Sequence, residues 1–116
     1  MLIKEIQKIL DAQLLVGEEL LETEVNNACG SDMMSDVLAF VKQQAVLLTG
    51  LVNPQVIRTA EMMDMKCVVF VRGKRPDRDM TELAENLDII LLTTKIPMFS
   101  SCGLLYEKGL GGGEAK

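Results

Sequence analysis

The chain has 116 residues, a net charge of −5, 48% hydrophobic but only 3% aromatic residues, and no histidine. That length fits one domain able to bury roughly two-thirds of its unfolded surface. The acidic balance, without any aromatic-plus-basic stretch, argues against nucleic-acid binding; the missing His excludes Ser-His-Asp and Cys-His catalysis and argues against a zinc site.

Leu2, Ile3, Ile6, Ile9 and Leu10 recur at helical spacing, with Lys4, Glu5 and Lys8 on the other face, and predict an amphipathic first helix. The same charges, with Asp11, distinguish this segment from a signal peptide. Gln13 to Val16 is a short strand candidate closed by Gly17. Glu18 to Glu24 is an acidic connection, and Val25 to Gly30 a second short strand candidate. Ser31 to Asp36 then leads into Val37-Leu38-Ala39-Phe40-Val41, a short helix. Between Lys8 and Lys42 there are seven acids and no base, so the N-terminal third carries most of the negative charge.

Three apolar runs follow, starting at Ala45, Cys67 and Ile89, each 22 positions from the last. Each ends in small or polar residues and leads into a helical pattern. That is the pattern of successive strand–helix units in a parallel sheet. Asn53-Pro54 starts the first of these helices, Asn as N-cap and Pro at the first helical position, and Val56, Ile57, Ala60 and Met63 line one face. Asp79 and Glu82 have capping-box spacing at the second, which buries Met80, Leu83, Ala84 and Leu87. Pro97 opens the last, with Met98, Phe99, Cys102 and Leu105 inward. Gly109 to Lys116 reads as a frayed tail. The longest uncharged run, Gln43 to Ile57, is too short to span a bilayer and is broken by Gly50 and Asn53-Pro54. A cytoplasmic protein without membrane contact is expected. Cys29, Cys67 and Cys102 are widely spaced with no Cys-x-x-Cys pair, and no cofactor is expected.

Parallel sheets place ligands at the carboxyl ends of their strands. Here those ends are Thr49-Gly50 with Asn53, Arg72-Gly73, and Thr93-Thr94. Together they define one rim, whose candidate ligand-binding residues are Thr49, Gly50, Asn53, Arg72, Gly73 and Thr94. The loop from Arg72 to Arg78 adds a local positive island, with four of the twelve basic residues and one acid. It suits a phosphate or carboxylate, or else its cations pair with the acidic N-terminal third, in the same chain or a neighbour. For Asn53, ordinary capping outweighs binding. A second group is Ser31, Asp32, Met33, Met34, Ser35 and Asp36. If this stretch is helical, Asp32 and Asp36 stack at i, i+4 and share a magnesium or calcium ion. The favoured alternative is that Asp32 or Ser35 caps the helix that follows, and the Met pair offers partner-facing surface. Gly111-Gly112-Gly113 lacks the Lys-Ser/Thr of a phosphate-binding loop and reads as a linker.

The order and spacing of these pieces resemble the DRTGG domain. They are Val25 to Phe40 with its Ser-Asp-Met-Met-Ser-Asp core, the Leu-Thr-Gly strand end, the Asn53-Pro54 helix start and the Val71-Arg72-Gly73-Lys74-Arg75-Pro76 loop. The likeness covers residues 1–108 and extends to the N-terminal domain of HPr kinase/phosphorylase and, in architecture, to those of Mur ligases. The sequence departs where the naming signature belongs: Glu22 to Ala28 has neither its Arg nor its Gly pair. The kinase phosphate-binding loop is absent too, so that catalysis does not carry over. The resemblance implies a regulatory module that dimerises.

The expectation is a single α/β domain over residues 1–108, a mainly parallel sheet flanked by helices, with a flexible tail at 109–116. Its first expected role is a non-catalytic regulatory or scaffold module acting as a homodimer, with a partner protein also open. The alternative is a sensor that binds a phosphorylated small molecule or nucleotide, a small anion, at the rim. A metal-dependent enzyme using Asp32 and Asp36 comes last.

Overall fold

The computed structural model describes residues 1–40 and 44–113. In chain order the elements are α1 (Ile3–Ile9), β1 (Gln13–Val16), a 3₁₀ turn (Glu18–Leu20), β2 (Asn27–Gly30), α2 (Met34–Phe40), β3 (Ala45–Thr49), α3 (Pro54–Met62), β4 (Cys67–Phe70), α4 (Arg78–Asn86), β5 (Ile90–Thr93) and α5 (Met98–Glu107). Val41, the last residue of the expected short helix, lies outside the described residues, as do the final three of the tail.

The five strands form one sheet in the order β1-β5-β4-β3-β2. The four from β2 to β5 are parallel, and β1 joins β5 antiparallel. The 22-residue repeat corresponds to the central strands, where Val46, Cys67 and Ile90 sit side by side. Helices cover both faces. On one, Leu47, Val68, Phe70 and Leu91 pack against Met34 and Val37 of α2, Val56, Ile57 and Ala60 of α3, and Met80 and Ala84 of α4. On the other, Val46, Leu48, Val69, Ile90 and Leu92 pack against Ile3 and Ile6 of α1 and Leu105 of α5. A strand buried on both faces has no polar side, which is why these runs are continuously apolar.

Local chemistry sets the helix boundaries. The Asn53 side chain accepts from the Gln55 N–H at 2.8 Å, with Pro54 beginning α3. α4 starts two residues earlier than its capping-box spacing suggests: Asp77, not Asp79, is the cap, accepting from the Met80 N–H at 2.9 Å. The helices α1, α3 and α4 each stop on an aspartate in the left-handed region, Asp11, Asp64 and Asp88, while α5 stops on Gly109. At all four ends the residue after that turn bonds back to the helix, as Met65 N–H does to the Ala60 carbonyl and Leu110 N–H to that of Leu105.

This closure corrects the tail. Leu110 follows the α5 stop and packs back into the core at 4% exposure, and Gly111 bridges to Asn27 on the sheet edge. Phe99 is a second correction. It was expected to face inward, but it is 89% exposed, while Met98 and Cys102 pack partly buried against the core and Leu105 is fully buried.

Candidate functional site

The strand register lines up the carboxyl ends. Gln13 lies beside Thr93, Thr93 beside Phe70, and Phe70 beside Thr49. At about 4.8 Å per strand, this row makes a rim roughly 14 Å long. Within it, the expected residues divide into those that build the rim and those that face outward from it.

Thr49 and Thr94 build it. Thr49 is fully buried; its hydroxyl donates to Asp32 Oδ1 at 3.0 Å and accepts from the Leu51 N–H at 3.1 Å. Thr94 is 2% exposed; its hydroxyl donates to the Leu10 carbonyl at 2.7 Å and accepts from the Ile96 N–H. Asn53 is engaged as the α3 cap. The two threonine hydroxyls are thus committed to the interior, and the exposed Asn53 has its amide oxygen committed to the cap.

Arg72, Gly73 and Gly50 face outward. Just past β4 the chain turns through two consecutive left-handed residues, Arg72 at φ 57° and Gly73 at φ 71°. A non-glycine residue adopts this conformation only when its surroundings hold it there. Here the Arg72 N–H donates to the Ile96 carbonyl at 3.1 Å and the Gly73 N–H to the Thr94 carbonyl at 2.8 Å. The exposed Arg72 side chain then lies over Gly50. A Cβ placed on Gly50 would sit 3.0 Å from Arg72 Nη2 and within 3.7 Å of both Asp32 carboxylate oxygens. Glycine therefore leaves open a small space with a guanidinium on one side and a carboxylate on the other.

Asp32 is the residue whose role the sequence did not reveal. α2 begins only at Met34, so Asp32 precedes the helix and neither stacks on Asp36 nor caps α2. Its Oδ1 instead crosses to the next strand, accepting from the Thr49 hydroxyl and, at 2.7 Å, from the Gly50 N–H. The turn before α2 is closed by Ser31, whose hydroxyl accepts from the Met33 N–H at 2.9 Å. Ser35 and Asp36 are exposed. Met33 is 60% exposed and Met34 buried at 8%, so the Met pair divides between surface and core. Among the described residues, no group of three or more Cys, Asp or Glu is placed to hold a metal ion.

Among the described residues, no ion pair within the chain joins the positive island to the acidic N-terminal third. Arg78 pairs with Glu82 along its own helix at 3.2 Å, and Arg75 donates to the neutral Gln13 amide at 3.0 Å. Among the described residues, Arg72 and Lys74 have no ion pair. Beyond Gly73 the rim continues into a cleft of about 480 Å³ bordered by Asp11, Gln13, Arg75 and Lys95. A second cleft, about 320 Å³, lies where the chain enters β5 and is lined by Glu18, Glu19, Glu85 and Asp88. The first cleft thus sets two cations against one carboxylate, and the second has four carboxylates and no base, so of the two only the first, net cationic, suits a phosphate or carboxylate.

The family model described as the DRTGG domain matches residues 5–105. No curated protein matches the sequence. Among solved structures, the fold is similar to the CBS and DRTGG domains of the regulatory region of Clostridium perfringens pyrophosphatase, complexed with the activator diadenosine tetraphosphate. The TM-score is 0.70 at 17% identity, over 89% of this chain and 45% of that one. The chain therefore spans less than half the length of that structure. No described helix is long and apolar enough to cross a membrane.

Proposed function

The chain belongs to the DRTGG-domain family, and we propose from this that it is a non-catalytic regulatory module that senses a small phosphorylated ligand at the carboxyl rim of its sheet. The observation that carries the reading is Arg72. It is exposed and unpaired among the described residues, and a left-handed turn holds its backbone so that the guanidinium lies over Gly50. An exposed guanidinium without an ion pair at a strand end is suited to phosphate, and the net cationic cleft beyond Gly73 offers room for the rest of the molecule. The fold neighbour, a regulatory region in complex with an activator nucleotide, supports the same class of role.

The test is an amide-resolved NMR titration with inorganic phosphate and adenosine monophosphate. The reading expects the Gly50 and Gly73 amides to shift, and Arg72→Ala to weaken binding about tenfold or more. Arg78→Ala should leave it unchanged. If neither compound moves these amides, the sensor reading is wrong.

The same module works as a homodimer, a reading favoured by the outer face of α5. From Met98 to Tyr106 this helix carries no charge, yet Phe99 is 89% and Tyr106 66% exposed. They lie seven residues apart on one stripe. An uncharged helix with large exposed side chains is characteristic of a contact surface. Light scattering should give twice 12.8 kDa, returning to the monomer mass on Phe99→Glu. A wild-type mass of 12.8 kDa would rule out the dimer.

A further inference from the structure

Two opposite charges converge on the space above Gly50 without pairing. Arg72 Nη2 and both carboxylate oxygens of Asp32 lie within 3.7 Å of the point a Gly50 Cβ would occupy. Even so, no ion pair joins the two side chains among the described residues. Each is held from below. Asp32 Oδ1 is fixed by the Thr49 hydroxyl and the Gly50 N–H, and the Arg72 backbone by Ile96. Asp32 Oδ2 accepts no hydrogen bond from the described residues, and Asp32 is exposed.

An acceptor-only group beside an anion anchor has a definite chemical consequence. An alkyl phosphate dianion placed on Arg72 gains the guanidinium but has no donor for Oδ2 and meets the carboxylate as a like charge. A phosphate ester with a hydroxyl close to its phosphate gains both, because the hydroxyl donates to Oδ2 while the phosphoryl oxygens accept from Arg72. We propose that Asp32 is the specificity-determining residue of the rim, and that it selects hydroxyl-bearing phosphate esters, the class of sugar and polyol phosphates and ribonucleotides, over phosphates that lack a nearby donor. This rests on the rim reading above and narrows it.

The probes are glycerol 3-phosphate and propyl phosphate, which carry the same phosphomonoester on a three-carbon chain and differ in the two hydroxyls. Titration of the intact chain, followed at the Gly50 and Gly73 amides, should show glycerol 3-phosphate binding about tenfold tighter. Asp32→Asn keeps an oxygen acceptor for Thr49 and Gly50 but replaces Oδ2 with a donor. It should weaken glycerol 3-phosphate, strengthen propyl phosphate, and bring their ratio close to one. Equal binding of the two esters by the wild type, or a ratio that survives Asp32→Asn, overturns the assignment and leaves the anion site standing. Failure of both esters to move the amides overturns the anion site itself. If Asp32→Asn does not fold, the wild-type ratio decides alone.

Discussion

At the rim, a residue's position at a strand end does not by itself say what it does. Thr94 and Arg72 both lie just beyond their strands, yet they differ in what each has left to offer. The Thr94 hydroxyl is buried and already serves two backbone groups, the Leu10 carbonyl and the Ile96 N–H. It ties the end of α1 to the end of β5, so it acts on stability. Thr94→Val keeps the shape and leaves those two groups unmet, which should cost roughly 1–3 kcal/mol. A urea midpoint should fall at unchanged slope, while the response of the Gly50 amide to phosphate stays as in the wild type. A loss of phosphate binding at full stability would instead return Thr94 to the site. The sequence could not make this distinction, because the partner of Thr94 is 84 residues away. Asp32 was obscured for the same reason. Its proximity to the first residues of α2 suggested a cap or a metal pair, but the donors it uses come from the strand 17 and 18 residues on.

At the scale of elements, type and order were legible and the boundaries less so. Repeated apolar runs identify buried strands because burial on both faces removes every polar position, and no distant contact is needed to read that. Asn53-Pro54 was likewise readable, since a cap bonds within two residues of itself. The start of α4 was not, because Asp77 and Asp79 both stand before the same apolar stripe and spacing alone favours the second. The structure makes these two aspartates a direct comparison. Asp77→Ala removes the acceptor for the Met80 N–H and should cost about 1 kcal/mol, whereas the exposed Asp79 has no such bond and Asp79→Ala should fall within roughly 0.5 kcal/mol of the wild type. Paired denaturant titrations decide it, and equal losses would mean that the helix dipole, not the cap, dominates. Helix stops were missed more widely. Three of the four left-handed stops use aspartate where glycine is the usual signal. The same closure at Gly109 brings Leu110 back into the core, so a segment that looks like a tail by composition is docked as far as Gly111.

Across the whole molecule, the sheet order grades stability from centre to edge, and the three cysteines sample that gradient. Cys67 lies on β4, the central strand, with no exposure, while Cys29 lies on the edge strand β2 and Cys102 on α5, both part-buried. The antiparallel seating of β1 beside β5 puts β4 in the middle, a placement the 22-residue repeat does not contain because it depends on pairing Gln13 with Thr93 across most of the chain. Burial raises the pKa of all three thiols, strongly so for Cys67; at Cys29 the neighbouring Cys102 and Asp36 add to the same direction. An aromatic disulfide reagent at neutral pH should therefore modify Cys29 and Cys102 through local opening and reach Cys67 only through global unfolding. The slow phase should accelerate in step with any loss of global stability, as in Thr94→Val. The pH dependence has a definite sign. A thiol whose pKa is raised by folding holds its proton in the native state and releases it on unfolding. Its contribution is complete below the ordinary value of 9.0 and is lost as pH rises from there through the raised value. Stability should thus decline on the alkaline side, and Cys67→Ala should flatten that decline even as it lowers stability at neutral pH. A single labelling phase for all three thiols would show that the sheet opens as one unit, with no gradient from β4 outward.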